Sequence, residues 1–194
     1  MAAGAADVAA GKQGDGRAAL SGRPPYADAL ARTGLLARLA PFDPHVAGTP
    51  PLGLDLPSSD IDLLCFASDA AVFARVVWDS CAGHDGFRMH QWVGADRPVV
   101  ASFTAGGWCF EIFGQARPVQ LQHGWRHFLV ERRLLALGGE GLREAVMRQR
   151  HRGAKTEPAF AAVLALRGDP FQAMLELDGQ PDAALAALLR HQGF

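Results

Sequence analysis

The feature that most constrains the fold is a short apolar segment, residues 60–66, that opens with Asp-Ile-Asp. Side chains alternate between the two faces of a β-strand, so Asp60 and Asp62 share one face and the apolar side chains share the other. Two neighbouring carboxylates repel each other, and a bound cation offsets that repulsion. The segment therefore predicts a buried strand that begins at a cation-binding edge of a sheet.

The remaining chain alternates between helical and extended patterns. Strands are expected at residues 45–47, 60–66, 87–93, 99–104 and 108–113, and helices at residues 25–39, 70–81, 122–137, 140–152, 157–166, 169–177 and 181–191. This order predicts an α+β fold with a helical C-terminal half. We expect a flexible leader over residues 1–24, a sheet core over 25–117, and a helical region over 118–194 that packs on the core.

Composition limits the class of protein. Of 194 residues, 49% are hydrophobic and 20% are charged, which is typical of a globular chain. No apolar run approaches the roughly 20 residues that cross a bilayer, and no signal-peptide core is present, so a cytoplasmic protein without a membrane partner is expected. Cys65, Cys81 and Cys109 lack metal-binding spacing and are expected to be buried free thiols.

A third carboxylate strengthens the prediction of a metal site. Glu111 lies inside the apolar strand Trp-Cys-Phe-Glu-Ile-Phe, where a charge is unfavourable unless it is paired or bound to metal. If this strand neighbours residues 60–66, Asp60, Asp62 and Glu111 can hold Mg²⁺, or Mn²⁺ as an alternative, with Glu111 as ligand and general base. Otherwise the aspartates face water and Glu111 pairs with an arginine.

Upstream of the aspartates lies a candidate phosphate-binding turn. Gly48 and Thr49 precede Asp60 by a ten-residue spacer, and glycine allows a backbone to approach a phosphate closely. Within that spacer, Ser59 can donate a hydrogen bond to a phosphate, and Asp55 can orient the loop. Ordinary turn-forming roles are the alternative for both residues.

Basic residues are concentrated downstream. Residues 117–155 contain nine Lys or Arg against three Asp or Glu, which favours either a phosphate-rich ligand or a solvated helix surface. Arg126 is the first candidate for a triphosphate contact, because a guanidinium fork matches phosphate oxygens, with an ion pair to an acid as the alternative. Lys155, just before a helix start, is a second candidate.

Three other polar residues are secondary candidates. Gln115 follows the Glu111 strand, and Gln122 shares a helix face with Arg126. His127 and Glu131 are four residues apart, which predicts either a structural hydrogen bond or a catalytic dyad.

These motifs together resemble a known signature. Gly48-Thr49, the spacer, Asp60-Ile-Asp62-Leu and the later Phe-Glu111-Ile are similar to the pattern of the DNA polymerase beta-like nucleotidyltransferase superfamily. More closely, the motif series across residues 26–177 resembles a small bacterial family of unknown function in that superfamily. The resemblance implies a mixed β-sheet flanked by helices, Mg²⁺-dependent use of a nucleoside triphosphate such as ATP, and metal roles for the three acids. Thr49 replaces the second Gly or Ser of the general motif.

The expected function is therefore a Mg²⁺-dependent nucleotidyltransferase that moves a nucleoside monophosphate to a hydroxyl or phosphate of an unidentified acceptor. A non-catalytic nucleotide-binding or interaction module on the same fold is the alternative. Nucleic-acid end modification is a third hypothesis, favoured by the basic segment. A zinc site and a serine nucleophile are disfavoured, because the sequence contains neither Cys-x-x-Cys nor Gly-x-Ser-x-Gly.

Overall fold

The computed structural model describes residues 22–93 and 96–194, so residues 1–21 of the expected leader lie outside the described residues. The strands are β1 (His45–Ala47), β2 (Asp60–Phe66), β3 (Asp85–Gln91), β4 (Val99–Ala105) and β5 (Trp108–Gln115). The helices are α1 (Tyr26–Thr33), α2 (Leu35–Arg38), α3 (Ala70–Cys81), α4 (His123–His151), α5 (Thr156–Val163), α6 (Pro170–Glu176) and α7 (Asp182–His191). The predicted α+β fold is confirmed.

The five strands form one mixed sheet in the order β1-β2-β5-β4-β3. β2 and β5 run parallel, whereas the other neighbouring pairs are antiparallel. In the parallel pair, Asp62 stands opposite Glu111 and Asp60 stands opposite Cys109. Register partners on adjacent strands point to the same face. The pairing on which the predicted acid trio depends is therefore present.

One face of the sheet is covered by the helices that precede β3. Ile61 and Ile112 are fully buried there, together with Phe73 of α3. Gly114 of β5 makes this packing possible, because a Cβ at that position would enter the ring of Phe73. The apolar positions of β2 and β5 therefore bind the sheet to α3.

The other face is only partly covered by the C-terminal helices. Leu64, near the end of β2, packs into a second cluster with Phe128 of α4 and Phe160 of α5. Asp60 and Asp62, at the start of β2, lie on the same face but remain intermediate in exposure. The helices thus cover one end of β2 and leave a cleft above the aspartates.

The long helix α4 is interrupted in its middle. Gly139 has φ 62° and ψ −155°, a conformation that only glycine adopts readily. This break confirms the predicted separation of two helical segments near residues 137–140. It gives the two halves of α4 different directions.

The cysteine prediction is partly wrong. Cys65 and Cys81 are buried free thiols, but Cys109 is exposed. Cys109 shares the face of Glu111, which the C-terminal helices leave uncovered, so alternation along β5 places it at the surface.

No helix in the described ranges is long and apolar enough to cross a membrane.

Candidate active site

A cavity of about 730 Å³ lies between the uncovered part of the sheet and the C-terminal helices. Its sheet side is formed by β2, β5 and the turn after β1, and its helical side by α4 and the start of α5. The lining includes eight polar or turn residues that the sequence had singled out: Gly48, Thr49, Ser59, Asp60, Asp62, Glu111, His127 and Lys155. Folding therefore gathers most of the predicted site residues around one space.

Three carboxylates share the sheet side of this cavity. Asp60 and Asp62 alternate onto one face of β2, and the pairing with β5 sets Glu111 beside Asp62. Glu111 is exposed rather than enclosed, because its face of β5 opens into the cavity. The parallel β2–β5 pairing is thus the element that brings the third acid to the pair.

The carboxylates influence one another electrostatically. Burial, followed by the charges of Asp60, Glu111 and Glu157, raises the pKa of Asp62 to about 7. Partial burial and the charge of Asp60 also raise the pKa of Glu111. Such mutual repulsion at a cavity wall is typical of groups that bind a cation or a proton in function.

The turn after β1 approaches the aspartates closely. Gly48 has φ 78°, and a Cβ on it would run into Oδ2 of Asp62. Next to it, the Thr49 hydroxyl donates to Ser59 Oγ at 3.0 Å, and the backbone N–H of Leu56 donates to the same oxygen at 2.9 Å. Ser59 Oγ therefore accepts these two hydrogen bonds, and a guanidinium nitrogen of Arg150 is a third donor at 3.5 Å.

The loop between that turn and β2 is held by the N-terminal segment. Arg23 donates to the carbonyls of Leu56 at 2.8 Å, Pro57 at 3.0 Å and Ser59 at 3.2 Å. Its guanidinium also pairs with Asp55 at 3.4 Å. Asp55 therefore acts on the loop through Arg23.

The donor set suits a hard divalent cation, since three carboxylates of two adjacent strands face one cavity and Mg²⁺ prefers oxygen ligands. In the described part of the chain, however, no group of three or more His, Cys, Asp or Glu side chains stands together as a ready metal site. Metal binding by Asp60, Asp62 and Glu111 would therefore require their side chains to turn toward a common point.

A buried arginine that sequence analysis missed faces the acids. Arg150, near the end of α4, is 8% exposed and lines the cavity. It donates to Leu54 O at 3.0 Å and to Thr156 Oγ1 at 2.6 Å, and its other guanidinium nitrogen is 3.5 Å from Ser59 Oγ. Burial lowers its pKa, and nearby acids, Glu131 first, oppose that shift. Arg150 thus joins the helices to the loop before β2.

Four of the predicted residues do not line this cavity, and one of them is Asp55, which pairs with Arg23 as described above. Arg126 pairs with Asp178 through its Nε atom at 2.7 Å, which corrects the expectation that it contacts a triphosphate. Gln122 is 1% exposed and donates to Cys65 O and Arg117 O, both at 2.9 Å, so it is structural. Gln115 lines a second cavity of about 470 Å³ near the start of α3.

His127 lines the cavity, but its partner differs from the expected one. Its Nδ1 atom lies 3.3 Å from Glu157 Oε1, and its Nε2 atom lies 2.9 Å from Phe171 O. The predicted pairing with Glu131 is therefore replaced by contacts to α5 and α6. Both ring nitrogens are engaged, which favours the structural interpretation of this histidine.

Glu131, which the sequence indicated only as a partner of His127, is the second buried charge of α4. It lines the cavity, is 5% exposed, and its Oε1 atom has no hydrogen-bond partner among the described residues. Burial and the charge of Glu157 raise its pKa well above the ordinary value, although Arg150 opposes the shift.

The basic segment is largely neutralised within the fold. Five of its arginines form ion pairs: Arg117 with Asp96, Arg126 with Asp178, Arg133 with Asp182, Arg143 with Glu140, and Arg148 with Glu144. Arg150 and Lys155 are instead at the cavity. Most of the excess positive charge therefore lies on the solvated surface of the helices. Arg150 and Lys155 are the two cationic side chains of this segment that line the candidate site.

A signal for Glu131 and Arg150 does exist in the sequence. Glu131 falls between Phe128 and Leu135 at helical spacing, and Arg150 follows Val146 by four residues. Both charges occupy positions on the apolar stripe of α4, where a polar residue is unusual. A charge on a buried helix face is thus the pattern that would have indicated them.

Comparison with solved structures supports the fold. A structure of the Cid1 poly(U) polymerase with MgGTP bound is similar with a TM-score of 0.52 at 16% identity, over 77% of this chain and 47% of that one. A second Cid1 structure, described by its RNA terminal uridylyl transferase activity, matches with a TM-score of 0.51 at 17% identity, over 77% and 46% of the two chains. At this identity the likeness shows a nucleotidyltransferase-like fold, and the chain spans less than half of these structures.

No curated protein matches the chain significantly. A family model does match, over residues 28–177, which is most of the chain. The protein therefore belongs to the DUF4269 family, described as a domain of unknown function.

Proposed function

We propose that this protein is a metal-dependent nucleotidyltransferase that moves a nucleoside monophosphate from a nucleoside triphosphate to a hydroxyl or phosphate of an acceptor, releasing pyrophosphate. The observation that carries the proposal is the in-register pairing of Asp62 with Glu111, on the face that also bears Asp60. A cavity wide enough for a nucleotide lies directly beside that pair.

The proposed roles follow from position in the cavity. Asp60, Asp62 and Glu111 would hold Mg²⁺ or Mn²⁺, which, when bound, neutralises charge on the phosphates and orients them. Gly48 brings the turn close to Asp62, and Ser59 offers its hydroxyl proton to a phosphate oxygen. Glu111, the most exposed acid, is placed to accept the proton of an attacking hydroxyl.

Cations on the helical side complete the arrangement. Arg150 and Lys155 lie across the cavity from the acids, and a guanidinium or ammonium suits the phosphates farther from the metal. In our proposal, Arg150 takes the role that the sequence had assigned to Arg126. Catalysis would consist of positioning and charge neutralisation, with little covalent chemistry from the protein.

A non-catalytic nucleotide-binding module on the same fold is the second candidate. The observation that favours it is the absence, in residues 22–93 and 96–194, of three metal-ligating side chains already grouped together. It predicts nucleotide binding without release of pyrophosphate from any acceptor mixture.

Calorimetry with ATP or GTP and Mn²⁺ tests the proposal. We expect the wild-type protein to bind the nucleotide only in the presence of Mn²⁺. The Asp60→Asn/Asp62→Asn variant is expected to lose this Mn²⁺-dependent binding. Asp79→Asn, on the exposed side of α3, is the matched control and is expected to bind as wild type does. Equal binding by the double variant and the wild type would contradict a metal role for the aspartates. Release of pyrophosphate in an acceptor mixture would favour the enzyme over the non-catalytic binding module.

A further inference from the structure

The helical side of the cavity contains a polar atom that the fold leaves without a partner. Glu131 is 95% buried, as its exposed fraction of 5% implies, and it lines the cavity from α4. Within the described residues, its Oε1 atom accepts no hydrogen bond. A buried acceptor that is left unsatisfied destabilises a protein, so its presence at a cavity wall calls for a specific reason.

Two basic side chains that line the same cavity make their hydrogen bonds to other groups. Arg150 directs its nitrogens to Leu54 O, Thr156 Oγ1 and Ser59 Oγ. His127 directs its two ring nitrogens to Phe171 O and Glu157. Neither side chain donates to Oε1 of Glu131 in the described structure, which leaves that atom for a donor that arrives from the cavity.

The apolar residues on the helical side of the cavity indicate which kind of hydrogen-bond donor fits there. Phe128, three residues before Glu131 on α4, and Phe171 also line the cavity and add apolar surface to its helical side. An apolar wall with one hydrogen-bond acceptor suits a group that has both a hydrophobic body and a hydrogen-bond donor. A nucleobase with its amino-bearing edge, or an amine on an alkyl chain, has both features. Because the remaining acids are assigned to metal or to His127, Glu131 is the residue available for that donor.

We propose that Glu131 is a specificity-determining residue that accepts a hydrogen bond from an N–H group of the bound ligand. This inference rests on the proposed function, because it assumes that a nucleotide and an acceptor enter the cavity. The N–H group has two possible sources, the amino-bearing edge of the nucleobase and an amine of the acceptor, and the experiment has one arm for each.

The first arm measures nucleotide binding by calorimetry in the presence of Mg²⁺. ATP and GTP carry N–H donors on the base, whereas purine riboside triphosphate carries none. The second arm replaces the nucleotide by inorganic tripolyphosphate and compares 1,4-diaminobutane with 1,4-butanediol, which lacks the amines. Both arms use wild type, Glu131→Met and, as matched control, Glu144→Met, an exposed glutamate of the same helix.

In the first arm we expect wild type to prefer ATP or GTP over purine riboside triphosphate by at least about tenfold if the base supplies the donor. In the second arm we expect a similar preference for the diamine if the acceptor supplies it. Either preference should disappear in Glu131→Met and persist in Glu144→Met. No preference in either arm, or a preference that survives Glu131→Met, would overturn the assignment.

Thermal unfolding of the free proteins adds a readout that a structural role would move in the opposite direction. Removing an unsatisfied buried acceptor should raise the midpoint of Glu131→Met by about 2–4 °C, whereas loss of a structural partner would lower it. If Glu131→Met does not fold, Glu131→Leu, which likewise has no hydrogen-bond acceptor, carries the same comparison. Binding of Mg²⁺ with tripolyphosphate by wild type tests the proposed function separately, so its presence without N–H preference overturns this inference alone.

Discussion

Several acidic residues of the cavity are in positions that are unfavourable for the stability of the fold and suited to binding a ligand. Asp62 and Glu111 have raised pKa values because burial and neighbouring carboxylates disfavour their charged forms. Burial also raises the pKa of Glu131, and the Oε1 atom of this residue has no hydrogen-bond partner in the described structure. Three such acids around one space are unusual for a purely structural core. We infer that binding, rather than stability, accounts for their positions.

Gly48→Ala tests whether nucleotide binding requires the close approach of the turn to Asp62. A Cβ would run into Asp62 Oδ2, and φ 78° is unfavourable for alanine, so we expect loss of Mn²⁺-dependent nucleotide binding and destabilisation by about 1–3 kcal/mol. Gly86→Ala is the matched control, because Gly86 has φ 66° but no atom within 4 Å of the added Cβ. Urea unfolding and calorimetry measure the two effects. Wild-type nucleotide binding by Gly48→Ala would show that the turn does not shape the metal site.

Among the elements, α4 has the largest influence on the cavity. Its first half carries Glu131 and its second half carries Arg150, and Gly139 separates the two halves with a non-helical conformation. The angle at Gly139 therefore sets the distance between an acid and a base on the same wall. A straight helix of this length would carry the two residues in different directions.

Gly139→Ala should consequently disturb both stability and the cavity. Its φ 62° and ψ −155° lie in a region almost confined to glycine, so we expect a loss of about 1–3 kcal/mol and weaker nucleotide binding. Gly141→Ala, two residues later, is the control, because its added Cβ would make an ordinary 3.7 Å contact with Phe194. There we expect unchanged binding and a gain of about 0.5–1 kcal/mol. Equal denaturant midpoints for the two variants would contradict this account of the kink.

In the whole molecule, the cavity is the place where the sheet meets the helices. Arg150 joins α4 to the loop before β2 and to the start of α5. The second apolar cluster, which includes Leu64 and Phe160, packs the sheet against the C-terminal helices. A ligand that contacts acids on the sheet and cations on the helices would therefore stabilise the folded chain as a unit.

Ligand-induced stabilisation should depend on Arg150 and not on Arg126. At about one hundred times the dissociation constant, Mg²⁺ with a non-hydrolysable triphosphate should stabilise wild type by about 2.7 kcal/mol. Arg150→Lys should lose most of that gain, since an ammonium cannot reproduce the fork to Leu54 and Thr156. Arg126→Lys should keep it, because Arg126 pairs with Asp178. Thermal shift assays at matched ligand concentration provide the comparison, and a gain lost in Arg126→Lys would restore the sequence-based assignment.

Local patterns were sufficient for much of the fold and for the sheet side of the site. Alternation in residues 60–66 predicted β2 and the shared face of its two aspartates, and an isolated charge in an apolar strand singled out Glu111. Helical periodicity predicted α3 and the C-terminal helices close to their observed bounds. These features depend on side chains a few residues apart, which is the range over which a sequence pattern acts directly.

What the sequence by itself determined is therefore the elements, the α+β class and the identity of the three acids. Only the tertiary structure decided that β5 lies parallel to β2, and that Arg150 and Glu131 reach the cavity while Arg126 pairs with Asp178. The physical reason is distance along the chain. Strand register and the facing of a kinked helix result from packing among segments dozens of residues apart, and no local spacing encodes which of several arginines will meet the acids.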